Sequence, residues 1–183
     1  MGRVSDFDAD LVRLLAEARA SEAARKRSRE RNLRAAALTD ASLAGVLLDL
    51  AEHGARVTVR TVFGRALSGN VTVVAQDGIV LDSTMGRSYV RLDGIAWFRG
   101  ATPRPLTEPA GDRHPPRAVT LAALLADLAP EHPRVAAAVT GERVLLSGEL
   151  RAVGADVITI AATDGPMHLA ARHVSELTVL ASG

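Results

Sequence analysis

The sequence predicts a mainly β protein in which two tandem five-stranded barrels, each preceded by a short helix, follow a long N-terminal helix. Three observations favour this fold class. Residues 6–38 contain neither Gly nor Pro, two later regions consist of short alternating apolar runs separated by turn residues, and these two regions align with each other. A proline-rich stretch lies between them, so we expect two barrels rather than one.

The composition excludes several classes of protein. The 183 residues are 48% apolar but only 3% aromatic, and they contain no Cys. The absence of Cys excludes disulfides, thiolate metal sites and thiol catalysis. No apolar run reaches the length of a membrane span or of a signal-peptide core. We therefore expect a cytoplasmic protein that does not contact a membrane.

Residues 1–38 are predicted to form a basic helix, because Ala, Leu, Glu and Arg dominate this segment from Asp6 to Leu38. One apolar face is formed at helical spacing by Leu11, Leu14, Leu15 and Ala18. This face gives way to charge from Arg19 onward. The second half of the helix is therefore expected to be solvated or bound to something outside the chain.

Residues 39–100 are predicted to form the first barrel. Thr39, Asp40 and Ser42 are cap-type residues for a short helix from Leu43 to about Glu52, and Gly54 is suited to end it. Five short strands follow, with turns at Gly64-Arg65 and Asp77-Gly78. The predicted strands span residues 57–63, 66–75, 79–81, 88–92 and 95–98.

Residues 101–117 are predicted to be a linker, because they are rich in proline, which interrupts a sheet. The prolines are Pro103, Pro105, Pro109, Pro115 and Pro116. We therefore place a domain boundary here and assign residues 118–183 to the second barrel.

The second barrel repeats the pattern of the first. Residues 67–81 align without a gap on residues 146–160, 79 positions later. The identical pairs include Val74 with Val153, Asp77 with Asp156 and Ile79 with Ile158. Upstream, residues 47–51 resemble residues 125–129 at an offset of 78, so the helix is repeated as well. A chance match of apolar residues is the alternative, but the shared turns favour duplication.

A short helix followed by five strands, with Gly69 in strand two and Val90-Arg91 four residues before Ile95, resembles the Sm-like fold. It is also similar to the C-terminal barrel of bacterial ribosome maturation factor P. The resemblance implies Sm-like or SH3-like barrels that assemble through strands four and five and bind uridine-rich RNA. At the position of the Asn that contacts a base in the family, the first barrel has Gly78 and the second has Val157. Of the family's second RNA-binding motif, only the Arg is matched, by Arg91.

The candidate nucleic-acid contacts are six cations within ten residues of the N-terminal helix, with Arg91 as a seventh. Residues 1–40 hold nine basic and seven acidic residues, whereas residues 41–183 hold thirteen and fourteen, so the barrels carry no net basic field. A solvated helix face with Glu22–Lys26 and Glu30–Arg34 pairs is the alternative interpretation. The six helix cations are Arg25, Lys26, Arg27, Arg29, Arg31 and Arg34.

No pattern in the sequence predicts catalysis, a cofactor or a metal site. His168 and His173 lie five residues apart, which places them on opposite faces of a strand. The Gly64 to Gly69 segment lacks the Lys-Ser/Thr of a phosphate loop. By the same alternation, Trp97 and Phe98 point in opposite directions, one toward the core and one toward the surface.

We therefore predict a non-catalytic, nucleic-acid-associated regulatory factor that binds RNA or DNA and acts as a homo-oligomer or as an intrachain pseudo-dimer. The alternative is a protein-interaction scaffold that docks a protein partner through the N-terminal helix without nucleic acid.

Overall fold

A computed structural model describes residues 3–101, 113–116 and 119–181, with all of their side chains except those of residues 3–12, 16, 37 and 38. The chain divides into two compact units, residues 1–40 and residues 41–183. Most of the predicted linker, including Pro103, Pro105 and Pro109, lies outside the described residues.

The N-terminal unit is one helix, α1, from Arg3 to Asp40. It begins and ends slightly beyond the predicted residues 6–38. Leu14 and Leu15 of the predicted apolar face are 63% and 49% exposed, and the side chain of Leu11 lies outside the described part. The helix itself is thus confirmed.

The second unit contains two short helices, and each begins at a hydroxyl cap. The Ser42 hydroxyl accepts a hydrogen bond from the N–H of Gly45 at 3.0 Å, and the Thr120 hydroxyl accepts one from Ala123 at 3.2 Å. Gly54 follows the first helix with a φ of 60°, a left-handed conformation that Gly adopts without a steric penalty. The helices are α2, Leu43–Glu52, and α3, Leu121–Leu128.

The described residues of this unit also form ten antiparallel strands. The first five are β1 Arg56–Thr61, β2 Ala66–Val74, β3 Gly78–Ser83, β4 Gly86–Arg91 and β5 Ile95–Gly100. The other five are β6 Arg134–Val139, β7 Leu146–Val153, β8 Val157–Ala162, β9 Gly165–Ala170 and β10 Val174–Leu180. Short 3₁₀ turns occupy Leu92–Gly94, Ala129–Glu131 and Ala171–His173.

The strands form one open sheet in the order β5-β1-β2-β3-β4-β10-β6-β7-β8-β9. The two tandem barrels expected from the sequence are not confirmed, because the sheet is open. Strand β10 pairs with β4 as well as with β6, so hydrogen bonds run through both halves. This pairing satisfies backbone groups of β4 that would otherwise form a free edge, and it leaves β5 and β9 as the two edges.

Each half nevertheless repeats the same architecture. The order β5-β1-β2-β3-β4 recurs as β10-β6-β7-β8-β9, and a helix precedes each set. The register shift between Val71 and Val73 recurs between Leu150 and Ala152, 79 positions later. Because β-bulges sit at defined sites in a fold, their repetition supports the interpretation of the sequence as a duplication. We call residues 39–100 and 118–183 the first and second repeats.

Two hydrophobic clusters hold the sheet and its helices together. The first lies within the first repeat, where Leu47 of α2 packs on buried residues of β1 to β4. The second combines α3 and the strands of the second repeat with Ala75, Val80 and Tyr89 of the first repeat. The repeats therefore share apolar core as well as hydrogen bonds.

Candidate functional site

The basic segment of α1 presents all six predicted cations to solvent. Each of the side chains of Arg25, Lys26, Arg27, Arg29, Arg31 and Arg34 is exposed. At about 100° per residue, Arg27, Arg31 and Arg34 form one stripe and Arg25 and Arg29 form another, with Lys26 beside the second. The ten residues span about 15 Å along the helix, so the segment can follow a strand of phosphates or an acidic surface.

Carboxylates on the same helix leave these cations unpaired. In the part of α1 whose side chains are described, Arg13 and Glu17 form the only ion pair, at 3.2 Å. The Glu22–Lys26 and Glu30–Arg34 pairs of the alternative interpretation are not formed there. The positive charge of residues 25–34 is therefore available to a partner.

Arg91, the seventh predicted contact, lies in the other unit and is engaged within the chain. Its Nε donates to Asp93 at 2.7 Å, and its Nη1 donates to the carbonyl oxygen of Ala171 at 3.3 Å. The hydrogen bond from Arg91 lowers the pKa of the Asp93 carboxyl. Arg91 thus links the first repeat to the second, and its guanidinium has fewer donors left for a phosphate.

A buried carboxylate lies where the two repeats meet, and the sequence analysis missed it. The side chain of Glu176 on β10 has no exposed surface, and its Oε1 accepts from Arg65 at 2.7 Å and from the Thr178 hydroxyl at 3.1 Å. Ser88 of β4 extends this group with a 2.9 Å hydrogen bond to Thr178. Burial raises the pKa of the Glu176 carboxyl.

The other oxygen of Glu176, Oε2, is buried without a hydrogen-bond partner among the described residues. The residues around Glu176 in β10 are Val, Ser, Leu and Thr, so the sequence shows only one charge within an apolar strand. The alignment of the two repeats was the signal available. Glu176 aligns with Trp97 of the first repeat, so a charged residue stands where the other copy has an aromatic one.

A small cavity at the same junction is largely apolar. It holds about 50 Å³, which suits one or two water molecules rather than a substrate. Its charged lining residues are Asp77 and Arg91, and a carboxylate oxygen of Asp77 accepts the Leu121 N–H at 2.8 Å. Asp77 thus holds the start of α3 in place, while Arg91 is bound to Asp93 and Ala171.

Edge strand β5 carries the only Trp of the chain, Trp97, with 47% of its surface exposed. Its neighbour Phe98 packs against the first cluster, so the predicted opposite orientation of the two rings is confirmed. The guanidinium carbon of Arg99 lies 5.9 Å from the centre of a Trp97 ring, within the range of a cation–π contact.

Within the described ranges, no group of three or more His, Asp or Glu side chains is arranged to hold a metal ion. In the same ranges, no helix has the length and apolar character needed to cross a bilayer. No protein-family model matches the chain, and a search of curated proteins finds no match.

Proposed function

We propose that this chain is a non-catalytic, cytoplasmic Sm-like protein that binds RNA or DNA through residues 25–34 and acts as an oligomer. The observation that carries this proposal is the exposure of the six cations on α1, none of which forms an ion pair with a carboxylate of the described residues. Neutralising phosphates with such side chains releases condensed counterions, which drives binding without any base-specific contact.

The Sm-like assignment is supported by the repeated strand order and by the helix before each repeat. The family's base-contacting position is held by Gly78 and Val157, neither of which carries an amide side chain. Arg91 is bound to Asp93 and Ala171. We therefore assign the main contact to the helix, with the sheet as the platform that carries it.

The proposal is tested with the full chain and a variant in which Arg25, Arg27, Arg29 and Arg31 are replaced by Ala. Binding to a single-stranded RNA and to a DNA duplex is measured by fluorescence anisotropy over a series of salt concentrations. We expect the variant to lose about 100-fold in affinity at low salt. The slope of log affinity against log salt should fall by ~0.7 for each lost contact on a single strand.

A matched control removes the same charge from the other unit, through Ala replacements of Arg56, Arg60, Arg134 and Arg143. All four are exposed, and the ion pairs among the described residues involve other arginines. This control should keep most of the affinity. Equal losses in both variants would show that net charge, and not residues 25–34, governs binding.

A protein-interaction scaffold without nucleic acid is the second candidate. It is favoured by the exposed Leu14, Leu15 and Leu33 on α1, which are 63%, 49% and 64% exposed, because apolar side chains along a helix suit a protein groove. If the full chain binds neither RNA nor DNA at low salt, the nucleic-acid proposal fails and the scaffold is favoured.

A further inference from the structure

The two edges of the sheet, β5 and β9, differ in their capacity to accept another strand. Edge β9 corresponds to β4 of the first repeat, and edge β5 corresponds to β10 of the second repeat. Inside the molecule, β4 and β10 pair with each other.

Edge strand β9 is blocked by Pro166. A two-residue turn joins β8 to β9, and Ala162 pairs with Gly165 across it. N–H groups of an antiparallel strand point alternately to its two sides, so the nitrogen of Pro166 faces the open edge. At the matching position in β4, Arg87 lies opposite Val179 of β10. Proline removes this outward donor and fills its space, a known protection of sheet edges.

A second obstacle lies beside β9. At the internal junction, a Cβ atom on Gly94 would come within 2.6 Å of the carbonyl oxygen of Ser175 in β10, so this close approach requires Gly. The matching residue of the second repeat is His173, whose carbonyl accepts from Thr140 as that of Gly94 accepts from Val62. A junction like that between β4 and β10 therefore cannot form at β9.

Edge strand β5 has neither obstacle. The N–H of Ala101 donates inward to the carbonyl of Arg56 at 2.7 Å, so by alternation the backbone groups of Phe98 and Gly100 face outward. The strand contains no proline and no acidic residue. Its two large exposed side chains, Trp97 and Arg99, lie on one face of the sheet.

We propose that β5 pairs with β5 of a second copy of this chain, antiparallel and about a two-fold axis at Phe98. In this register Phe98 faces its own copy in a hydrogen-bonded pair. Trp97 of each chain then faces Arg99 of the other, which places a cation beside an aromatic ring as already occurs within the strand. The inference deepens the oligomer of the proposed function, but it does not depend on nucleic acid.

A second copy is the favoured occupant for two reasons. The contact continues the mode of assembly already present between β4 and β10, where one sheet extends by antiparallel edge pairing. Because the β9 edge is blocked, β5 of one chain cannot pair with β9 of another in the way that β10 pairs with β4. The remaining arrangement is self-complementary, which is the commonest in homo-oligomers.

The first experiment measures the molar mass of the full chain by light scattering, without nucleic acid, beside Gly100→Pro and the control Gly100→Ala. Proline removes an outward N–H of β5 without touching its ladder to β1. We expect the mass of two chains for the parent and for Gly100→Ala, and of one chain for Gly100→Pro, with the circular dichroism of a folded sheet in all three. A monomeric parent at about 100 μM, far above a micromolar Kd, or a dimeric, folded Gly100→Pro variant, would overturn the proposal.

The register is tested by oxidation of a Trp97→Cys/Arg99→Cys variant, which is free of background because the chain has no other Cys. Residues 97 and 99 of opposite chains face each other at about 4.5 Å between Cα atoms, within reach of a disulfide. The double variant should form a covalent dimer, whereas each single variant should not, since its two Cys are about 8 Å apart. Absence of the covalent dimer in the double variant would refute this register. These results do not depend on whether the Ala replacements in residues 25–31 abolish RNA binding. The dimer and the nucleic-acid proposal can therefore fail independently of each other.

Discussion

Glu176 is the residue whose environment departs most from what its chemistry favours. A carboxylate without solvent loses its hydration, and one ion pair with Arg65 and one hydroxyl donor compensate for this only in part. Its Oε2 has no partner among the described residues. We therefore expect the group to specify how β10 meets the first repeat more than it stabilises the fold.

The raised pKa of Glu176 predicts a pH dependence of stability with a defined sign. Between the ordinary value of 4.5 and the raised value, the folded chain holds a proton that the unfolded chain has released. The free energy of unfolding should therefore fall as pH rises through this window, by at most about 1.4 kcal/mol per pH unit. A Glu176→Gln variant should lack this component.

The measurement is the difference in unfolding free energy between the parent and Glu176→Gln, from urea titrations at a series of pH values from 4 upward. Groups that titrate in both proteins cancel in the difference. The parent should lose stability relative to the variant as pH rises, and a difference that is constant or of opposite slope would contradict the raised pKa.

At the scale of strands, the pairing of β4 with β10 can be tested with two matched glycines. Gly86 and Gly165 begin β4 and β9 with φ values of 122° and 121°, so Ala is equally strained at either position. A Cβ on Gly86 would lie 2.2 Å from the carbonyl oxygen of Val179, whereas one on Gly165 would meet nothing within 4 Å.

We therefore expect Gly165→Ala to cost about 1 to 3 kcal/mol from backbone strain alone. Gly86→Ala should cost about 2 kcal/mol more, because β10 must move away. Urea titrations of the two variants at one chain concentration measure this difference. Equal losses would mean that β4 and β10 are not paired in solution.

The sequence predicted individual elements well, because local chemistry determines them. Ser42 and Gly54 bound α2, and alternation located all five strands of the first repeat to within a few residues. The β4–β10 pairing joins the fourth strand of one repeat to the fifth strand of the other, as the Sm-like resemblance implied for assembly. Local sequence patterns alone do not show whether such an edge strand faces solvent, a second chain or the other repeat. Glu176 was missed for the same reason, because its partner Arg65 lies 111 residues away.

At the scale of the whole second unit, one continuous sheet implies one cooperative folding unit. The two repeats share the β4–β10 ladder, the Arg65–Glu176 pair and a cluster that contains residues of both. Each repeat alone has about 60 residues, a size at which a domain is only marginally stable. Loss of either repeat should therefore expose apolar surface of the other and unfold it.

Fluorescence can follow the two repeats separately, because Trp97 lies in the first repeat and the second repeat contains no Trp. A Trp97→Phe/His168→Trp variant moves the probe to an exposed position on β9. We expect the fluorescence midpoint and slope of each protein in urea to coincide with those from its own circular dichroism, since the local and the global probe then report a single transition. Thermal stability of the variant, measured by circular dichroism, controls for the substitutions themselves. Two transitions with separated midpoints would mean that the repeats unfold independently, as two self-contained barrels would.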